Sequence, residues 1–146
     1  MRRYLLDTGP LAALLHERPA AVELMQPWLM RQEAATSILV YGEVVEYIRP
    51  LPSYWIHYQG LRNLMRAVNP YALSFSVLER YADLRLLMRR PHGTGLVGDI
   101  DTLIAATALE RNLTVVTIDR AFLRVPDLRV ILIDRSTLRV VEDGIE

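Results

Sequence analysis

Five carboxylates in this chain stand where they could do chemistry together. Asp99 and Asp101 follow a glycine-containing loop and open a segment whose apolar residues, Leu103, Ile104, Ala106, Ala108 and Leu109, cover too much of a helix for one that faces solvent. The spacing predicts a buried helix with both acids at its N-terminus. One aspartate is enough to accept an orphan backbone N–H and meet the positive end of the helix dipole. The second is surplus, and a metal site is the leading reason for it, because hard cations such as Mg²⁺ take carboxylate oxygens. For this pair taken alone, capping and solvation are the favoured account, and the weight of the metal reading comes from other acids.

Three more acids add weight. Asp7 ends the apolar run Arg3-Tyr4-Leu5-Leu6 and is followed by Thr8-Gly9-Pro10 and the helical pattern Leu11, Ala12, Leu14, Leu15. Asp7 or Thr8 can cap that helix, with Pro10 in the first turn, where a missing N–H is harmless. Asp119 closes Leu113–Ile118, which is β-branched in five of its six positions, and Thr117 lies two residues earlier on the same side of the pleat. Glu43 follows Gly42 on a helix that Ser37 starts and Pro50 stops, apolar nearly all round through Ile38, Leu39, Val40, Val44, Val45 and Ile48. Glu46 is the alternative on that helix. Glu43 is preferred because its distance from the preceding strand brings it back over the sheet edge that bears Asp7.

The elements that must position these acids alternate. Arg18-Pro19 breaks the first helix and residues 20–31 restart it; Ala34 to Ser37 is a short strand; Leu51-Pro52-Ser53 is a break with Ser53 as a cap; residues 54–68 form a helix. Pro70 to Ser74 reads as a third strand, and Ser76-Val77-Leu78-Glu79 as a capping box for a helix that runs to Arg90. Arg85, Arg89 and Arg90 gather at its end. Leu128 to Ile133 is the last core strand, Thr137 to Val141 an edge strand, and Glu142–Glu146 a loose tail. The pattern is β-α-α-β-α-α-β-α-α-β-β, one α/β domain over residues 1–146 with a mostly parallel central sheet of about five strands flanked by helices. Right-handed crossovers put Asp7 and Asp119 on one edge and aim the helix starting near Asp101 at it. Carboxylates converging there repel one another unless cations neutralise them, and two divalent metals clamping a phosphodiester are the chemistry such a cluster serves best.

Composition sets limits on the rest. A chain of 146 residues, 51% of them hydrophobic, is long enough to bury a core as one globular domain. It has no cysteine, so disulfides and Cys-ligated zinc are excluded and a reducing cytoplasm is the expected compartment. No apolar run reaches the length of a membrane span, and Met1-Arg2-Arg3-Tyr4 enters a strand too soon for a signal peptide. Seventeen basic residues, all Arg, balance seventeen acids, which argues against indiscriminate coating of nucleic acid and leaves room for a local basic rim. His57 lacks a second His or Cys at ligand spacing and reads as a surface or packing residue, as do His16 and His92.

The segments Leu5-Leu6-Asp7-Thr8-Gly9-Pro10-Leu11, Ser37 with Tyr41-Gly42-Glu43, Asp101 through Ala108, and Val116-Thr117-Ile118-Asp119 with Phe122 together resemble the PIN domain, and most of all the VapC toxins of VapBC toxin-antitoxin pairs. They span almost the whole chain in the family's order. The resemblance implies a Mg²⁺- or Mn²⁺-dependent endoribonuclease with an acidic site of Asp7, Glu43, Asp101 and Asp119, supported by Thr8, Ser37 and Thr117. Many relatives carry Asn immediately before the third acid; here that place is Ile100, and Asp99 one residue earlier is a further candidate metal contact. The resemblance also implies a homodimer and a VapB-type antitoxin whose C-terminal segment wraps the toxin and commonly sets an Arg near the acids.

Two other readings compete with an RNA-cleaving toxin. A non-catalytic PIN-like binding module is disfavoured by acids at all four matching positions. A haloacid-dehalogenase-type phosphohydrolase needs a second Asp two residues after the first, where this chain has Gly9. Trp28, Tyr47, Tyr54, Trp55 and Tyr58 exceed what one core of this size is expected to hide, so part of their surface is expected to bind a second copy or an antitoxin helix.

Overall fold

A computed structural model describes residues 1–91 and 93–141. In chain order the elements are β1 (Tyr4–Leu6), α1 (Thr8–Leu15), α2 (Pro19–Met30), β2 (Ala34–Ser37), α3 (Ile38–Ile48), α4 (Tyr54–Ala67), β3 (Asn69–Tyr71), α5 (Phe75–Met88), α6 (Asp99–Arg111), β4 (Thr114–Thr117), a short 3-10 helix (Arg120–Arg124) and β5 (Val130–Leu132). The five strands form one parallel sheet in the order β3-β2-β1-β4-β5. The chain leaves the central strand β1 towards β2 and β3, then returns to its other side for β4 and β5. That reversal opens a crevice beyond the carboxyl ends of β1 and β4, the place where open α/β sheets bind ligands.

The sheet is buried on both faces, so its strands read as apolar runs and not as alternation. Leu5, Leu6, Ala34, Ala35, Val115 and Val116 are all fully buried. Small side chains in β2 let helices pack closely on the centre, and the buried Thr36 hydroxyl donates to the Leu6 carbonyl at 2.8 Å. Trp28 belongs to the core: its ring stacks on Tyr4 with centroids 4.0 Å apart.

As its sequence pattern requires, α6 is a buried helix, with Thr102, Ile104, Ala105, Ala106, Thr107 and Ala108 enclosed. Its two buried threonines return their hydroxyls to helix and loop carbonyls, Thr107 to Leu103 at 2.9 Å and Thr102 to Gly98 at 2.9 Å. The helix ends on Asn112 in the left-handed conformation, which asparagine tolerates better than most residues.

Several local expectations are corrected. Gly98, not an aspartate, is the N-cap of α6. The cap of α5 lies two residues before the expected one, because Ser74 accepts the Val77 N–H at 3.2 Å while Ser76 lies inside the helix. Ser53 makes no side-chain cap. Residues 137–141 form no strand: pairing there is a single antiparallel bridge between Ile133 and Val140. The expected tail, residues 142–146, and His92 lie outside the described residues. Among the described residues no helix is long and apolar enough to cross a membrane.

Candidate active site

Local structure explains how four acids reach one edge. β1 ends at Leu6, so Asp7 is the first residue past the sheet and the N-cap of α1. Its carboxylate does not serve as the cap. Instead Thr117 Oγ1, from the last position of β4, donates to Asp7 Oδ2 at 2.7 Å. The same hydroxyl accepts the Asp119 backbone N–H at 3.0 Å, which ties the ends of two neighbouring strands together. Asp119 caps the 3-10 helix by accepting the Ala121 N–H at 2.9 Å. Across the crevice, α3 brings in Glu43, and Thr8 Oγ1 donates to its Oε1 at 2.5 Å. Asp101 enters from the first turn of α6. Ser37 is fully buried and spends its hydroxyl on the Leu39 N–H as the N-cap of α3.

These charges act on one another. Burial pushes the Asp7 carboxyl above its ordinary value, against the Thr117 hydroxyl and the nearby Thr8 amide, and the charges of Glu43 and Asp119 push the same way. Burial also raises Asp101, to about 7, with Asp7, Asp119 and Glu43 each adding repulsion. An Asp101 carboxyl this reluctant to ionise shares a hydrogen bond with Asp119. Asp7 Oδ1 is buried without a hydrogen-bond partner, an arrangement that proteins rarely leave unanswered.

Among the described residues, no three Asp, Glu or His side chains are gathered as they would be around a metal ion. The donor set nonetheless fits a hard cation. It is oxygen-only, as hard cations require, it holds one orphaned buried carboxylate oxygen, and its members raise one another's proton affinity; a divalent cation would answer the last two.

The other candidates separate from this group. Asp99 stands one position before Ile100 on α6, and its mostly exposed carboxylate is taken up by α5: Arg85 donates to it at 2.6 Å and Tyr81 at 2.9 Å. Arg85 therefore pairs with Asp99 and does not only join Arg89 and Arg90 in a cationic cluster; the signal for this in the sequence is the i, i+4 spacing of Tyr81 and Arg85 on one face of α5. Glu46 is exposed on α3. His57 packs edge-on against His16, with ring centroids 5.2 Å apart.

The chain is similar in structure to several solved complexes. VapBC2 from Rickettsia felis, bound to a DNA fragment from its promoter, aligns with a TM-score of 0.76 at 21% identity over 87% of this chain and 96% of that one. DNA-bound VapBC from Salmonella typhimurium aligns with a TM-score of 0.78 at 20% identity, covering 89% and 97%. FitAcB from Neisseria gonorrhoeae aligns at 0.72 and 21% identity, covering 87% and 95%. No curated protein matches the chain. In sequence, residues 4–128 match the PIN domain, a span that runs from the first residue of β1 to just before β5 and takes in Asp7, Glu43, Asp101 and Asp119. This chain therefore belongs to the PIN domain family.

Proposed function

We propose that the protein is a divalent-cation-dependent endoribonuclease, the toxin of a VapBC-type pair, which hydrolyses RNA phosphodiester bonds at the edge formed by Asp7, Glu43, Asp101 and Asp119. The observation that carries this reading is the convergence of four carboxylates, two of them raised by burial and mutual repulsion, at the switch point of a parallel sheet.

Bound Mg²⁺ or Mn²⁺ would supply a polarised phosphate and an activated water. The chain's own residues do the rest. Asp7, Asp101 and Asp119 would offer carboxylate oxygens to the cation. Thr117 fixes the Asp7 carboxylate through Oδ2, and the unpartnered Oδ1 is the atom that would be open to a cation. Glu43, held by Thr8, stands opposite as the acid best placed to orient or accept a proton from water. Asp99 acts from outside: pinned by Arg85 and Tyr81, it orients the start of α6.

The solved relatives are named as two-component complexes, and this chain has a seat for a partner helix. A groove of about 840 Å³ runs between α1, α2 and α4, floored by Leu14, Leu15, Val22, Leu29, Leu64 and Ala67. Such a groove suits the apolar face of an antitoxin's amphipathic helix. A second copy would cover the exposed stripe Phe75, Leu78 and Leu86 on α5. Light scattering then gives a dimer, and Leu86→Arg a monomer.

The test of the activity is direct. Purified protein cleaves single-stranded RNA with Mg²⁺ or Mn²⁺ and stops in EDTA, and Asp7→Asn or Asp101→Asn abolishes cleavage while the fold survives. Full cleavage in EDTA, or wild-type rates in either variant, would remove the assignment. Co-expression with the small neighbouring reading frame should yield a stable, inactive complex.

A further inference from the structure

Beside the acids, α3 packs against α4, and the pair carries a row of aromatic and arginine side chains on its surface. Trp55 is 62% exposed, and its ring stacks on Tyr58 with centroids 5.6 Å apart and planes 24° from parallel. Tyr54 leans on Tyr58, and the Arg49 guanidinium lies 5.0 Å over the Tyr54 ring. Further along α4 the hydroxyl ends of Tyr41 and Tyr58 meet each other and Arg62: their shared hydrogen bond raises the Tyr41 phenol and lowers that of Tyr58, and the Arg62 guanidinium pulls both down. A hollow of about 290 Å³ follows, lined by Ile38, Tyr41, Arg62, Met65, Arg66 and Pro70. Ile38 directly follows the carboxyl end of β2, and Pro70 pairs with Thr36 across the sheet, so this hollow opens near the edge that bears the acids.

Between Tyr41 and Glu43 the helix is bare. Gly42 is exposed, and a Cβ built there would meet nothing within 4 Å. Glycine in an exposed helix interior lowers stability relative to alanine, and no packing requires it here. What it leaves is an open crossing from the aromatic ridge to the acids.

We propose that this ridge is a track for single-stranded RNA, in which Trp55 and Tyr58 stack bases, Arg62 and Arg66 hold phosphates, and the strand crosses α3 at Gly42 to reach the acidic site. The proposal rests on the ribonuclease reading and deepens it. Charge decides for RNA over a protein partner: α4 carries Arg62 and Arg66 and no carboxylate, in a chain of zero net charge. Aromatic faces that already stack continue naturally onto bases, and every base has such a face, so the track is tolerant of sequence. Two arginines on consecutive turns match a phosphate chain that has left its helix.

The test uses the full chain as Asp101→Asn in EDTA, so that the RNA stays intact, with a single-stranded oligonucleotide and its duplex as probes. The oligonucleotide should quench tryptophan fluorescence, and Trp55→Phe should remove that quenching, because Trp28 is buried against Tyr4. Trp55→Ala and Arg62→Ala should each weaken binding by roughly tenfold, with the duplex bound no better than by the variants. Arg62→Ala should also flatten the dependence of log affinity on log salt by about 0.7. Gly42→Leu, a better helix former at an exposed place, should leave thermal stability intact and raise KM for a long substrate in the otherwise wild-type chain. Unchanged affinity in both Trp55→Ala and Arg62→Ala overturns the track, and so does a dimer that becomes a monomer in Trp55→Ala, which would make the ridge a protein interface. Cleavage with unchanged KM in these variants defeats the track and spares the ribonuclease; binding through the ridge by a protein that never cleaves RNA does the reverse.

Discussion

Replacing Asp101 by asparagine should make the metal-free protein more stable, and only above a defined pH. In the native state this carboxyl is raised from 3.8 to about 7, by burial first and then by Asp7, Asp119 and Glu43. At about 1.4 kcal/mol per tenfold change in proton affinity, the full shift corresponds to roughly 4 kcal/mol. Asp101 is only about half enclosed, so solvent screening reduces this to on the order of 1–2 kcal/mol. Because native Asp101 holds its proton more tightly than the unfolded chain does, stability from this group is present below about pH 4 and is lost as pH rises towards about 7. Asparagine keeps the shape without the charge. Urea melts in EDTA should therefore find Asp101→Asn equal to wild type at about pH 4 and more stable by on the order of 1–2 kcal/mol at about pH 8, or a few degrees in Tm. Taking the difference between the two proteins removes the other titrating groups, Glu33 and Asp134 among them, whose lowered carboxyls favour folding in the opposite direction. Adding Mg²⁺ at pH 8 should close the gap by stabilising wild type alone. A variant that is less stable than wild type at pH 8 in EDTA would refute the claim that these carboxylates repel one another.

Three smaller perturbations follow from named contacts. Asp99→Asn should cost less ribonuclease activity than Asp101→Asn, since Arg85 and Tyr81 hold Asp99 on the α5 side; equal, total loss in both would put Asp99 among the acids that meet the cation. Thr117→Val should destabilise the fold by about 1–3 kcal/mol in urea, because it strips the hydroxyl donor from a buried carboxylate, and Thr117→Ser should restore it. Ser74→Ala should lower stability by about 1 kcal/mol while Ser76→Ala changes little; the reverse order would return the α5 cap to the later serine.

Much of this site was legible because the acids sit at boundaries that local chemistry marks. Asp7 and Asp119 end apolar β-branched or leucine-rich runs, and a strand stops where a solvated turn residue begins, so their place at the sheet edge followed from the chain itself. Ser37 as a cap and α6 as a buried helix are equally local, since capping and burial write themselves into neighbouring residues. The contacts across the crevice are not of this kind. Nothing near Thr117 says that its hydroxyl will bond Asp7, 110 positions away, and nothing near Glu43 names Thr8 as its donor. Those pairs exist because β1 lies between β2 and β4, and strand order is set by how the whole apolar surface packs. Trp28 makes the same point from the other side: an indole that composition allowed as an interface anchor is buried on Tyr4, because α2 lies over the first strand. Asp99 and Asp101 are two residues apart in one helix turn, and a rotation of about 200° between them sends one to Arg85 and the other to the acids. Spacing alone marks both as candidates; the neighbours of α6 on either side decide which one faces the crevice.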